Sequence, residues 1–252
     1  MNAQDPTSGG RPTSKGNVDQ FNEDIRVLGS YGYTTGRLSS RLANARISEA
    51  VVNAHDFVGR RVLDLGCGDG TYTFELAARG PAEILGLDPA VAAVQSARAK
   101  AHSLGLADRV QFEVGNIYAL EALLAGDRFD TIVMRGVLHH LPDPARAIAA
   151  LVPFRGTLIL LEPNGNNPVL KILESFSRYH IEHEERSFSP ARIRRWLRLA
   201  GFNVRSSQVV NMVPMFCPDS MARVLNILGP TVERIPGLRS VACGQSLIVS
   251  HR

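Results

Sequence analysis

At 252 residues, with 44% apolar and 21% charged side chains, the chain has the composition of one globular domain with a substantial core. No run approaches the roughly 20 consecutive apolar residues of a bilayer span, and residues 1–20 lack the apolar segment of a secretory signal. Cys67, Cys217 and Cys243 are too few and too scattered for a disulfide framework or a zinc cluster, and a net charge of +4 is too mild to point to nucleic acid. These features speak against an integral membrane protein and make a reducing cytoplasm the expected location.

Residues 1–18 are rich in Gly, Pro, Ser, Thr and Asn with almost nothing to bury, which predicts a disordered tail. Aromatic and turn residues follow in Tyr31-Gly32-Tyr33-Thr34-Thr35-Gly36. Leu42, Ile47, Ala50, Val51 and Ala54 then recur with a period near 3.6, predicting a helix that Ser39 or Ser40 caps and Gly59 ends. From there strands and helices alternate: strand 61–65, helix 71–79, strand 83–87, helix 90–104, strand 110–114, strand 129–134, helix 144–151 and strand 157–161. An arginine-rich helix starts near Ser187 to Pro190, its arginines opposite Ile193, Trp196, Leu197 and Ala200. Strands are expected at 202–210 and 245–250. Such alternation with short connections predicts an α/β fold, doubly wound, with a mostly parallel sheet and helices on both faces. Two stretches break the pattern, 164–189 and 211–244. In the second, Met212, Val213, Met215 and Phe216 read as exposed apolar residues before a helix carrying Met221, Val224, Leu225 and Leu228.

The most informative segment is Val62-Leu63-Asp64-Leu65-Gly66-Cys67-Gly68-Asp69-Gly70-Thr71. A buried strand ends in alternating glycines and a helix follows at once, so the main chain turns sharply and leaves its amides to a ligand. Further on, Ile84-Leu85-Gly86-Leu87-Asp88 puts an acid at the tip of the second strand, where it can accept both hydroxyls of a ribose. Together these point to a nucleoside. Thr71 stands where a dinucleotide fingerprint has its third glycine, and no Gly-Lys-Ser/Thr follows for a triphosphate. Asp64 would repel a diphosphate but suits a water or an ammonium group.

Asp64 through Gly70 resembles the first motif of class I S-adenosylmethionine-dependent methyltransferases. Asp88 matches their ribose-binding acid, and Val114-Gly115-Asn116-Ile117 their adenine-edge motif, with Asn116 where Asp is frequent. Phe129-Asp130-Thr131-Ile132-Val133-Met134-Arg135-Gly136-Val137-Leu138-His139-His140-Leu141 resembles the fourth-strand motif of the small-molecule branch, which includes quinone-ring and sugar or natural-product methyltransferases. The resemblance covers roughly residues 60–165 and, by strand order alone, 190–250. It implies a Rossmann-like sheet of seven strands with the last antiparallel, S-adenosylmethionine as cofactor, and a small-molecule acceptor. It implies cofactor contacts from Tyr33, Asp64, Gly66, Cys67, Gly68, Asp88, Pro89, Asn116, Ile117 and Arg135. On this reading residues 19–58 form a helical cap over the cofactor site, and 59–252 the core, with insertions at about 164–189 and 211–244.

Methyl transfer requires aligned donor and acceptor and, for a hydroxyl acceptor, a base. His139 and His140, which titrate near neutral pH, are the candidate bases, and Glu162 at the end of the fifth strand is the candidate partner. Adjacent residues on a helical turn diverge by about 100°, so both histidines are not expected to face one atom. Arg135 either meets the cofactor carboxylate or offers only its carbonyl to the ammonium. Oxygen methylation is the leading expectation and carbon methylation of a quinone or polyketide-like ring the alternative. An NAD-dependent dehydrogenase and a non-catalytic adenosine-binding protein stand outside that class. No metal is expected: His180, His183 and Glu184 lack a fourth ligand, and Arg135 stands where a catechol-type site would have an acid. Without the Asn/Asp-Pro-Pro-aromatic clamp, nucleic acid is not the expected partner. A homodimer through 211–244 stays open.

Overall fold

The computed structural model describes residues 36–176 and 186–252, together with 18, 19, 22, 23, 25 and 26. Residues 1–17 of the proposed tail, Tyr31, Tyr33, His180, His183 and Glu184 lie outside the described residues.

Chain order is α1 (Leu38–Val52), β1 (Arg61–Leu65), α2 (Thr71–Ala77), β2 (Glu83–Asp88), α3 (Val91–Ser103), β3 (Val110–Val114) and β4 (Thr131–Arg135). A 3-10 turn (Leu138–His140), α4 (Pro144–Ala149), β5 (Thr157–Pro163), α5 (Pro168–Phe176) and α6 (Pro190–Leu199) follow. The chain closes with β6 (Asn203–Val210), α7 (Asp219–Val232), α8 (Pro236–Ala242) and β7 (Gln245–His251). The strands form one seven-stranded sheet in the order β3-β2-β1-β4-β5-β7-β6. Only β7 runs antiparallel to its neighbours. This is the Rossmann-like, doubly wound arrangement that the alternation predicts.

Strand periodicity divides the core. Val62, Ile84, Val110, Val133 and Ile159 face α1, α2 and α3, whereas Leu63, Leu65, Leu85, Ile132, Met134 and Leu158 face α4 and α6. Both faces being covered, β1, β4 and β5 read as continuous apolar runs. The winding reverses between β1 and β4, and the crevice at that reversal opens at the carboxyl ends of the strands, where ligands bind in such sheets.

Several local expectations need correction. Ser39 and Ser40 do not cap α1: Arg37 is the N-cap, and both serines are fully buried inside the helix, Ser39 donating to the Met215 carbonyl at 2.8 Å. The Ser39 hydroxyl thus serves the packing of α1 on the β6–α7 connection, and the Ser40 hydroxyl accepts from Asn44 Nδ2 within the helix. Val213 is buried, with Ala43 and Ala222, while Phe216 is exposed. The stretch after β5 contains α5, and 211–244 contains a second helix, α8. Upstream of α1, Ile25 packs on Ala90 and Ala93, and Asn22 Oδ1 accepts the Ala92 amide at 2.9 Å. The start of α3 thus receives a capping bond from a remote segment.

Candidate active site

The turn from β1 to α2 carries Gly66, Gly68 and Gly70 at φ of 78°, 54° and 76°, a left-handed conformation that disfavours any residue with a Cβ. Two of these glycines also admit neighbouring side chains. A Cβ at Gly66 would stand 2.5 Å from Val137 Cγ2, and one at Gly70 2.9 Å from the Phe112 ring. The expected reason for glycine, close approach of a ligand, is therefore joined by close approach of Val137 and Phe112. Cys67 is buried in the same turn, among Val62, Ile84 and Phe112, and burial raises its thiol pKa well above the ordinary range.

Asp88 reaches back to this turn. Its Oδ2 accepts the Gly68 amide at 2.9 Å and its Oδ1 the Ala90 amide at 2.8 Å, across Pro89. Only 9% of Asp88 stays exposed, and burial raises its pKa against the pull of the two amides. Each oxygen keeps a second lone pair, the acceptor capacity that a ribose requires. Asp64 lies one strand residue below the turn, and its Oδ2 accepts from Thr73 Oγ1 at 2.7 Å. Burial pushes its pKa up to about 6, against the Thr73 bond and the attraction of Arg135.

Arg135 ends β4 with its side chain committed to the helices. The guanidinium stacks on the Tyr72 ring at 3.3 Å from the centroid, donates to Ser48 Oγ at 2.9 Å and meets Glu75 Oε2 at 3.4 Å. With Asp64 and Val133 these groups enclose a cavity of about 10 Å³, room for one water at most. Of the two expected roles of Arg135, this geometry favours its carbonyl over its side chain. Sequence reading missed Ser48, Tyr72 and Glu75. Tyr72 and Glu75 are three apart on α2 and so share a face, which was legible; Ser48 was not.

On the far side of β2, Asn116 is exposed, and its Oδ1 accepts the Tyr118 amide at 2.9 Å. Ile117 next to it packs on the core below.

Glu162, 1% exposed at the end of β5, organises the turn after β4. Its Oε1 accepts the Val137 and Leu138 amides at 2.8 and 2.7 Å; its Oε2 accepts the His139 amide at 3.3 Å and lies 2.8 Å from His139 Nδ1. An ionised carboxylate only accepts, so facing one Nδ1 takes the donor role, which makes Nε2 the ring nitrogen able to act as a base. His140 is half-buried, and its ring centroid lies 3.9 Å from that of His139. The two rings stay in contact, although successive side chains on a 3-10 turn diverge by about 120°. The described residues thus gather two acids and a glycine turn on one side of the β1/β4 crevice, and a carboxylate-held histidine on the other.

Residues 56–202 match the methyltransferase domain family. The chain belongs to that family. Its class is the S-adenosylmethionine-dependent one, whose methyl donor is that sulfonium, and the glycine turn with Asp88 behind it fits an adenosyl group.

A ubiquinone biosynthesis O-methyltransferase of Alkalilimnicola ehrlichii is 32% identical over 169 residues, 62% of this chain and 66% of that one. An uncharacterized protein of Synechococcus is 44% identical over 92 residues, 36% of this chain and 22% of its own length. The matches therefore span less than two thirds of both curated relatives. Among solved structures the [4+2]-cyclase SpnF aligns with a TM-score of 0.70 at 21% identity, over 96% of this methyltransferase-family chain and 97% of the cyclase. At that identity the likeness speaks for the fold alone.

Proposed function

We propose that the chain transfers the methyl group of S-adenosylmethionine to a hydroxyl of a small molecule, with His139 as general base and Glu162 as its positioning residue. The observation that carries this is the buried 2.8 Å pairing of His139 Nδ1 with Glu162 Oε2, which leaves Nε2 as the basic nitrogen. The ubiquinone relative, an O-methyltransferase by its printed name, supports oxygen as the acceptor atom.

The proposed cofactor contacts divide by chemistry. Asp64 and the Arg135 carbonyl suit an ammonium group, while Asp88, supported by Pro89, suits ribose hydroxyls. The main chain of residues 66–68, with Cys67 beneath it, lines the turn. Asn116 and Ile117 suit an adenine edge and face. Tyr33 stays in this proposal as a cover from the N-terminal cap. The bound sulfonium supplies an electrophilic methyl group. The protein's own work is to align the acceptor oxygen, exclude water and take the proton on His139 Nε2.

A carbon acceptor on a lipid-soluble ring is the second reading. It is favoured by the exposed apolar residues of α7. Because the fold is also that of a cyclase, the test must read methyl transfer itself: incorporation of labelled methyl from S-adenosylmethionine into phenolic, sugar and prenylquinol acceptors. Label in an ether product that is lost in His139→Ala supports the reading. Binding of S-adenosylhomocysteine with no label in any acceptor overturns it.

A further inference from the structure

The apolar residues of 211–244 are only partly absorbed by the fold. On α7 the inner face is Ala222 and Gly229, buried, with Leu225 against Ala43 and Val213. The opposite face carries Met221, Val224, Ile227 and Leu228, exposed by 47%, 54%, 75% and 48%. Helix α8, joined to α7 through Glu233, Arg234 and Ile235, adds exposed Leu238 and Val241. So many exposed apolar residues on two successive helices are unusual on a solvated protein. Its margin is basic: Arg223 flanks the α7 row and Arg234 the helix junction, both exposed, and Asp219 is the exposed acid at the start of α7. The remaining acid, Glu233, is taken up by Arg46 and the Asn211 amide.

We infer that the outer face of α7 and α8 docks on an anionic lipid surface, its apolar row entering the headgroup boundary and Arg223 and Arg234 meeting lipid phosphates. A 14-residue helix is about 21 Å long, and no described helix is long and apolar enough to cross a membrane. Lying in the interface plane is the geometry left to it. Charge favours lipid over a second copy as the occupant: the margin carries two exposed arginines against one exposed acid, a net positive charge that attracts an anionic surface and repels its own copy. Position adds a consequence. The insertion leaves β6 and enters β7 where Gln245 pairs with Pro163, one residue beyond Glu162. The docking helices are thus joined to the sheet beside the strand end that carries Glu162. The inference itself stands on the apolar face and its margin, apart from the methyl-transfer reading.

The test is co-sedimentation of the full chain with vesicles of phosphatidylcholine, with and without phosphatidylglycerol. The expected result is binding to the anionic vesicles that weakens in about 1 M salt, where screening shortens to about 3 Å. Ile227→Asp and Val224→Asp, both at exposed positions, each lower the partition coefficient by tenfold or more. Arg223→Gln and Arg234→Gln lower it by about fivefold each. All four variants keep wild-type melting and S-adenosylhomocysteine affinity. Equal binding to neutral and anionic vesicles overturns the inference, as does no binding to either. So does a wild-type dimer in light scattering that Ile227→Asp dissociates while leaving vesicle binding intact.

Discussion

Glu162 Oε2 stands 2.8 Å from His139 Nδ1, and the same carboxylate holds the amides of Val137, Leu138 and His139. One buried side chain on β5 thereby holds both the path of the turn after β4 and the ring of its histidine. Glu162→Gln replaces one acceptor oxygen with an NH2 facing two donors, the His139 amide and Nδ1. Loss of these bonds is expected to cost about 1–3 kcal/mol in stability, with turnover falling at unchanged cofactor affinity. His139→Ala should lower kcat by about 10²–10⁴-fold, and the acid limb of the wild-type kcat–pH profile should vanish in it. His140→Ala should retain that limb. Pre-steady-state methyl transfer across pH reads all three, and an acid limb that persists in His139→Ala removes the histidine from proton transfer.

Asp88 holds two backbone amides and is also the proposed ribose acceptor. Asp88→Ala releases the Gly68 and Ala90 amides and removes the ribose acceptor, so affinity for S-adenosylhomocysteine should fall by more than about tenfold, and stability with it. Asp88→Asn keeps one acceptor and turns its NH2 against the other amide, so the melting temperature should recover only in part while affinity stays low. Calorimetric titration against S-adenosylhomocysteine checks this. Wild-type affinity in Asp88→Asn would place the ribose elsewhere.

The strand core was legible because burial on both faces writes continuous apolar runs, as in residues 157–161, and because glycine punctuates the helix ends. The glycine turn and Asp88 were legible as a pair, since they are adjacent in the sheet and about one βα unit apart in sequence. Other features depend on contacts that no local pattern encodes. The Arg135–Tyr72–Ser48 cluster joins β4, α2 and α1, and the buried hydroxyl of Ser39 answers a carbonyl 176 residues away. Helix α5 was missed although Val169, Ile172 and Phe176 recur at helical spacing, because it is short and falls in the stretch that breaks the strand–helix alternation.

Asp64 predicts a pH dependence whose sign is opposite to that of a salt-bridged acid. Its folded pKa of about 6 lies above the ordinary 3.8, chiefly through burial. Between those values the folded chain keeps a proton that the unfolded chain has released. This group's contribution to stability therefore falls as pH rises through that window and levels off above about 6. Asp64→Asn should be more stable than wild type at about pH 8, by on the order of 2–3 kcal/mol, and equal to it near pH 3.5. If the ionised carboxylate receives the cofactor ammonium, wild-type affinity for S-adenosylhomocysteine rises between about pH 5 and 7 and the Asn variant shows no such rise. Denaturant melts and titrations over that range decide both points. An Asn variant with the wild-type affinity profile moves the ammonium away from position 64.

Gly66 and Val137 couple the cofactor turn to the histidine turn. Gly66 sits at φ 78° with Val137 Cγ2 in the place of its missing Cβ, and the Val137 amide is held by Glu162. Gly66→Ala carries two penalties, about 1–2 kcal/mol for the left-handed backbone and about 1–3 kcal/mol for the forced displacement of Val137. Val137→Ala removes the second penalty but not the first. The double variant should therefore be less destabilised than the sum of the singles by about 1–2 kcal/mol. Gly66→Ala alone should also lower turnover by pushing Val137, and with it the Glu162-bound turn, off the His139 position, and Val137→Ala should restore part of that loss. Strict additivity in a denaturation cycle would mean that Val137 is not what closes over Gly66. Additivity in turnover alone would mean that the two turns move independently.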